Sequence, residues 1–131
     1  MLKLTKKLEY ALIALRHIQR SRNILSSAKE ISNIYMIPYE VLAKTLQQMV
    51  KLDYIHAVQG PKGGYKLHQS LDKINLTDFI EQIEGPIGMV DCTISMDCSQ
   101  MENCNIRIPI NKINENIRSV FNGIRISDIT D

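Results

Sequence analysis

Apolar residues return every three or four positions near the start of the chain, at Leu8, Leu12, Leu15 and Ile18, with Ala11 and Ala14 on the same side. That period predicts an amphipathic helix over about residues 5–21. Ser27-Ala28-Lys29-Glu30 is a capping box, in which hydroxyl and carboxylate each satisfy a free backbone N–H, so a second, short helix is expected to run to about Asn33. Tyr35-Met36-Ile37 reads as a turn. Pro38, with no N–H to lose, suits the first turn of a third helix over about 38–52 that buries Leu42, Leu46, Met49 and Val50. Tyr54–Val58 and Tyr65–His68 are short strand candidates, joined by Gln59-Gly60-Pro61-Lys62-Gly63-Gly64, where three glycines and a proline permit a tight turn.

Asn75-Leu76-Thr77-Asp78 opens a further helix over about 76–84, stopped by Gly85-Pro86. Residues 86–105 show no period and read as a polar loop. A long helix follows over about 108–122, with Pro109 in its first turn. Ile106, Ile110, Ile113, Ile117, Val120 and Ile124 recur at alternating spacings of four and three, which is an a/d seam. Such a stripe packs either on its own domain or on a second copy, and its regularity favours a homodimer. The expected fold is mainly α: a winged helix-turn-helix with a small β-hairpin wing and a long C-terminal dimerisation helix. The division expected is 1–85 for DNA binding, 86–105 for a cysteine-bearing loop and 106–131 for the dimerisation helix and tail. In a winged helix-turn-helix the third helix enters the major groove and the hairpin touches flanking DNA.

Charge sharpens this picture. Residues 1–70 hold eleven Lys/Arg against four Asp/Glu, whereas residues 71–131 hold five against ten, within a net charge of +2. A basic N-terminal half is the electrostatic footprint of a nucleic-acid binder, because its cations displace counterions condensed on phosphates. No apolar run is long enough to span a bilayer, and Met1-Leu2-Lys3-Leu4-Thr5-Lys6-Lys7 holds no signal-peptide core, so a cytoplasmic protein without membrane contact is expected. An enzyme is not expected: the chain has no Gly-rich phosphate loop followed by Lys-Ser/Thr, no nucleophile elbow and no His-Glu-x-x-His zinc motif.

All three cysteines fall within thirteen residues, as Cys92-x5-Cys98-x5-Cys104. Thiolates so close together are good soft-metal ligands, and three of them leave one coordination position for another group. In a reducing compartment this arrangement points to a metal or redox site rather than a structural disulfide. A structural zinc site fits poorly, since its cysteines usually come as Cys-x2-Cys pairs. The metal-free alternative is a thiol-based redox-sensing regulator, in which two of the cysteines form a disulfide on oxidation.

Together these residues resemble the Rrf2 family of bacterial winged-helix regulators along nearly the whole chain. The resemblance rests on Leu4-Thr5-Lys6-Lys7-Leu8-Glu9-Tyr10-Ala11, the wing Gly60-Pro61-Lys62-Gly63-Gly64-Tyr65-Lys66-Leu67, the helix 76–84 with Gly85, the three-cysteine loop, and the closing Ile124-Arg125-Ile126-Ser127-Asp128-Ile129. Glu84-Gly85-Pro86-Ile87 ahead of Cys92 is similar to the branch that regulates SUF iron–sulfur assembly. The resemblance implies a homodimer that binds a palindromic double-stranded DNA operator, most often as a repressor. It also implies one iron–sulfur cluster per subunit, 2Fe-2S or 4Fe-4S, responding to iron, oxidant or nitric oxide. Cys92, Cys98 and Cys104 match the family's cluster ligands directly.

The fourth ligand does not match so simply. The IscR-like branch has a histidine three residues after the third cysteine, where this chain has Arg107, which stays protonated and cannot ligate. The NsrR-like branch takes a carboxylate from the first helix of the partner subunit, and Glu9 occupies that place. Glu9 also reads as an ordinary helix carboxylate pairing with Lys6 or Arg16, and Asp91, Asp97 and Glu102 compete for the same role. His17, His56 and His68 match no family ligand position and read as surface or wing histidines.

For DNA, the resemblance implies contacts from Ser27, Pro38, Tyr39, Glu40, Ala43 and Lys44, and from the wing residues Gln59, Gly60, Lys62, Gly63 and Tyr65. Two of these depart from IscR-like members. Gln59 stands where relatives often carry Arg and lacks the charge that narrow minor grooves attract. Ala43 replaces a Glu and offers only methyl contact with thymine. An operator different from that of IscR-like proteins is therefore expected.

Overall fold

The computed structural model describes residues 4–22, 24–87 and 105–130. They form six α-helices, one 3₁₀ turn and a two-stranded hairpin. The order is α1 (Lys6–Arg20), α2 (Ala28–Tyr35), α3 (Tyr39–Lys51), β1 (Ile55–Val58), β2 (Gly64–Leu67), a 3₁₀ turn (Leu71–Lys73), α4 (Leu76–Glu84), α5 (Arg107–Asn122) and α6 (Ile126–Thr130). The mainly α winged helix-turn-helix expected above is the fold observed. No helix among the described residues is long and apolar enough to cross a membrane.

Local chemistry sets the helix ends. Thr5 caps α1 by accepting from the Leu8 N–H at 3.2 Å, and Ser27 caps α2 by accepting from the Glu30 N–H at 3.0 Å. α2 runs two residues past its expected end, because its stop is Met36, held in the left-handed region at φ 56°. The expected turn therefore begins one residue later than Tyr35. Pro38 sits at the N-cap of α3, just outside the first turn in which it was expected. α3 buries Leu42, Leu46 and Met49 as its period predicts, but Val50 is only half-buried, and Thr45 takes the inner position. The Thr45 hydroxyl donates to the Val41 carbonyl at 2.9 Å, which removes the cost of burying it.

β1 and β2 pair antiparallel, with Ile55 opposite Leu67 and Val58 opposite Gly64. The wing is stapled to the residue ahead of the α2 cap. Tyr65 N–H donates to the Ser26 carbonyl at 2.8 Å, and Ser26 N–H donates to the Tyr65 carbonyl at 3.1 Å. Glycine is needed beside this staple, since a Cβ on Gly64 would stand 2.9 Å from the Ser26 carbonyl carbon and oxygen. A Cβ on Gly63 would lie 2.1 Å from the Val58 carbonyl oxygen, so the hairpin closes only around glycine there too.

One core joins α1, α3 and α4, with Leu8, Leu15, Ile18, Leu46, Met49 and Phe79 fully buried. α5 lies along α4, tied by an Arg118–Glu81 ion pair and a 3.4 Å hydrogen bond from the Thr77 hydroxyl to the Arg118 carbonyl. Its stripe is split between two environments. Ile110, Ile117 and Ile124 are half-buried, while Ile106, Ile113 and Val120 stand 55%, 45% and 63% exposed. The chain after α5 returns to the winged domain. Leu76 N–H donates to the Ile124 carbonyl at 2.8 Å, and Ile126 N–H donates to the Ile74 carbonyl at 2.9 Å. Ile126 is fully buried, and the segment from Ile126 forms the short helix α6, which the sequence pattern left as tail.

Candidate nucleic-acid interface

The start of α2, the start of α3 and the wing face one another across a cleft of about 310 Å³. Ser27, Tyr39, Gln59, Gly60, Gly63 and Tyr65, all expected as DNA contacts from far-apart places in the chain, line it together. Tyr39 is 54% exposed, while Tyr65 is half-buried at the cleft floor. Burial raises the Tyr65 phenol above its ordinary pKa, and the neighbouring Tyr39 adds to the effect. The Tyr65 hydroxyl therefore stays a neutral donor at physiological pH. Pro38, Glu40, Ala43, Lys44 and Lys62 are not among the residues lining the cleft. Glu40 and Lys44 are exposed on α3, Ala43 is half-buried there, and Lys62 is exposed near the wing tip.

Two features of the cleft suit an anion. α3 has no side-chain cap, so the N–H groups of its first turn are left for an outside acceptor. Lys29, which the sequence reading did not single out, lines the same cleft and is exposed. Its position two residues after the α2 cap was the available signal, since a cation there reaches whatever approaches the helix start.

The expected cluster ligands Cys92, Cys98 and Cys104, with the competing carboxylates Asp91, Asp97 and Glu102, lie outside the described residues. Glu9 is described. It stands in the first turn of α1 with its side chain 40% exposed, and its carboxylate lies 3.2 Å from the Lys6 ammonium. No group of three or more metal-ligating side chains occurs among the described residues.

His17 is not a plain surface histidine. Its Nε2 lies 2.8 Å from the Glu30 carboxylate and its Nδ1 lies 2.9 Å from the Tyr35 hydroxyl. The carboxylate can only accept, so Nε2 carries a proton. In the neutral ring Nδ1 then accepts from the Tyr35 O–H. One residue of α1 thus grips both ends of α2, which carries Ser27 at its cap. His56 and His68 are exposed on the wing, as expected.

Comparison with known proteins agrees with this architecture. The model of the Rrf2 family, described as iron-dependent transcriptional regulators, matches residues 4–131. An HTH-type transcriptional regulator of Aquifex aeolicus is 30% identical over 92% of this chain and 85% of its own length. The HTH-type transcriptional regulator NsrR of Shouchella clausii is 30% identical over 70% of this chain and 62% of its own length. Among solved structures, CymR, the global cysteine regulator of B. subtilis, superposes with a TM-score of 0.76 at 22% identity, covering 99% of this chain and 97% of that one. Its likeness is one of fold. With a winged domain of this form and a family match that spans nearly its whole length, the chain belongs to the Rrf2 family of DNA-binding transcriptional regulators and is not an enzyme.

Proposed function

We propose that this protein is a homodimeric repressor that grips a palindromic operator with α3 and the wing, and whose affinity for DNA is set by an iron–sulfur cluster. The observation that carries this reading is the match to iron-dependent regulators over residues 4–131, in a chain whose three cysteines all fall between 92 and 104. The functional division is then 1–85 for DNA, 86–105 for the cluster and 106–131 for dimerisation.

On the DNA side, the open N–H groups of α3 take a phosphate, Tyr39, Glu40 and Lys44 meet bases or backbone, and Ala43 meets a thymine methyl. Ser27 and Pro38 hold the starts of α2 and α3 against the backbone. Gln59, Gly60, Lys62, Gly63 and Tyr65 carry the wing to the flanking groove. A second copy covers the exposed part of the α5 stripe, Ile106, Ile113 and Val120, which this support makes the natural dimer face.

Cys92, Cys98 and Cys104 would hold the cluster, with Glu9 of the opposite subunit as the fourth ligand. The donor chemistry fits, since three soft thiolates suit iron–sulfur centres and a carboxylate is a harder, more easily displaced fourth partner. Glu9 is free enough to serve, because an exposed ion pair like that with Lys6 is worth only about 0–1 kcal/mol. When bound, the cluster supplies a group whose integrity responds to oxidant, nitric oxide and iron supply. Glu9 and His17 stand on the same helix, α1, so a pull on Glu9 is passed to α2 through the Glu30 and Tyr35 bonds. A coupling of about 1–3 kcal/mol between two such sites is typical.

The test is the absorbance, iron and sulfide content of anaerobically prepared protein, with operator affinity measured before and after nitric oxide. A brown chromophore is expected, and Cys92→Ala or Cys104→Ala should abolish it. A variant that keeps the full spectrum removes that cysteine from the ligand set. Colourless protein without iron or sulfide, whose DNA affinity instead changes on disulfide formation, establishes the metal-free thiol sensor in its place.

A further inference from the structure

The wing carries a pair of side chains that the proposed DNA contacts leave out. His56, on β1, and His68, just after β2, meet across the hairpin with ring centroids 3.9 Å apart and ring planes at 66°. In the strand register His56 stands opposite Lys66, and the His68 N–H is bonded to the Tyr54 carbonyl at 3.0 Å, so the two histidines are diagonal neighbours on one face. Ala57 and Tyr65, which pair with each other in the same ladder, line the DNA cleft. Val58 and Gly64, on the histidines' own side of the ladder, reach the cleft as well, but His56 and His68 are not among the residues that line it. Both are exposed.

Imidazole is a preferred ligand for late first-row divalent ions, at metal–nitrogen distances of about 2.0–2.1 Å for zinc. Two imidazoles, one on β1 and one on the residue after β2, are already brought together by the hairpin, so little ordering remains to be done when a metal binds. Small χ rotations of exposed side chains can turn two edge-packed rings so that one nitrogen of each points to a common centre. Lys66, the charged side chain directly opposite His56, weakens the site by its positive charge, but it is exposed and can swing away.

We propose that His56 and His68 form a two-imidazole site for a late-transition divalent cation of the zinc or nickel class, with water completing the coordination. Such an ion cross-links β1 to the residue that follows β2, outside the cleft. It braces the wing without occupying the cleft, and it needs none of the cysteines.

The chain has only three histidines, so their ring carbon–proton NMR signals can each be assigned by single variants. Full-length protein is titrated with zinc chloride past the amount the cysteines absorb. The signals of His56 and His68 should then move together over one further equivalent, while His17, held between Glu30 and Tyr35, stays in place. His56→Ala should abolish the response of His68, and His68→Ala that of His56. His56→Phe keeps an aromatic ring against His68 and should also lose binding, which separates ligation from packing. Amide exchange at His56 and Lys66, the hydrogen-bonded pair of the ladder, should slow on adding zinc only when both histidines are present. The proposal is overturned if the His56 and His68 signals stay fixed at millimolar zinc, or if either keeps its response without the other.

Discussion

Gly64→Ala tests the idea that a backbone staple, rather than the hairpin alone, aims the wing. The new methyl carbon would sit 2.9 Å from the Ser26 carbonyl carbon and oxygen, inside normal contact, and neither backbone atom can yield without moving the α2 entry. Relief requires the wing to lift away from Ser26. That weakens the bonds at 2.8 and 3.1 Å between Ser26 and Tyr65. Losing two ordinary hydrogen bonds costs about 1 kcal/mol each, and forcing a methyl group into a packed contact costs about 1–3 kcal/mol. Where the staple fails completely, the sum is about 3–5 kcal/mol, a large part of the roughly 5–15 kcal/mol that holds a small domain folded. Relaxation of the hairpin makes about 2–4 kcal/mol the expected loss, or roughly 6–16 °C in Tm for a chain of this size. Urea unfolding and a mobility-shift titration should be read together. Operator affinity should fall more than tenfold at a temperature where the variant is still fully folded, because Gln59, Gly60 and Lys62 travel with the wing. A Gly64→Ala protein with unchanged stability and unchanged affinity refutes the staple as the positioning element.

Other outcomes follow from single contacts. Lys44→Ala should weaken operator binding across sequences and lower the salt slope of log affinity by about 1 if it touches one phosphate; an unchanged slope removes it from the backbone contacts. Val120→Glu places a charge on the most exposed part of the α5 stripe, so sedimentation should shift toward monomer while circular dichroism stays native, and a persistent dimer would locate the interface elsewhere. Burial, aided by the nearby Asp78 charge, raises the Tyr54 phenol from 10.0 to about 12, and its O–H donates to Gln82 at 2.6 Å. A raised folded pKa means that this contribution is complete below pH 10 and is lost as pH climbs toward 12. Tyr54→Phe should therefore unfold with less pH dependence between those values, and an identical alkaline profile for both proteins would contradict the assignment.

The parts of this fold that could be read from sequence are those governed by local rules. α1, α3, α4 and α5 carry a 3.6-residue stripe, and Thr5, Ser27 and Asn75 are caps whose hydrogen bonds form as their residue types suggest. The errors are local as well. Met36 adopts a left-handed conformation in spite of its side chain, which extends α2, and Thr45 can be buried on the inner face because its hydroxyl bonds its own backbone, while Val50 stays half-buried. α6 was invisible because five residues are too few to show a period, and its burial depends on partners roughly fifty positions earlier. The cleft between α2, α3 and the wing was legible in its members but not in its assembly. Ser27, Tyr39 and Gln59 became a site in sequence only through the family resemblance, whereas the structure joins them through the Ser26–Tyr65 staple. The grip of His17 on Glu30 and Tyr35 was missed for the same reason, since nothing local to His17 names partners thirteen and eighteen residues away.

The pairing of Ile74 and Leu76 with Ile124 and Ile126 has a consequence for the order in which the molecule assembles. It ties together two stretches with some fifty residues between them, among them all three cysteines. Closing a loop of that length costs about 3–4 kcal/mol in chain entropy beyond a constant term. Contacts so distant in the chain are expected to form late, after local pairings such as that of β1 with β2 and the packing of α2 on α3. Anything that draws residues 92–104 together shortens the loop still to be closed and so favours the docking of Ile126. Loading of the cysteine segment and completion of the fold would then help one another, and a protein that lost its hold on those residues would loosen first at its C-terminal end.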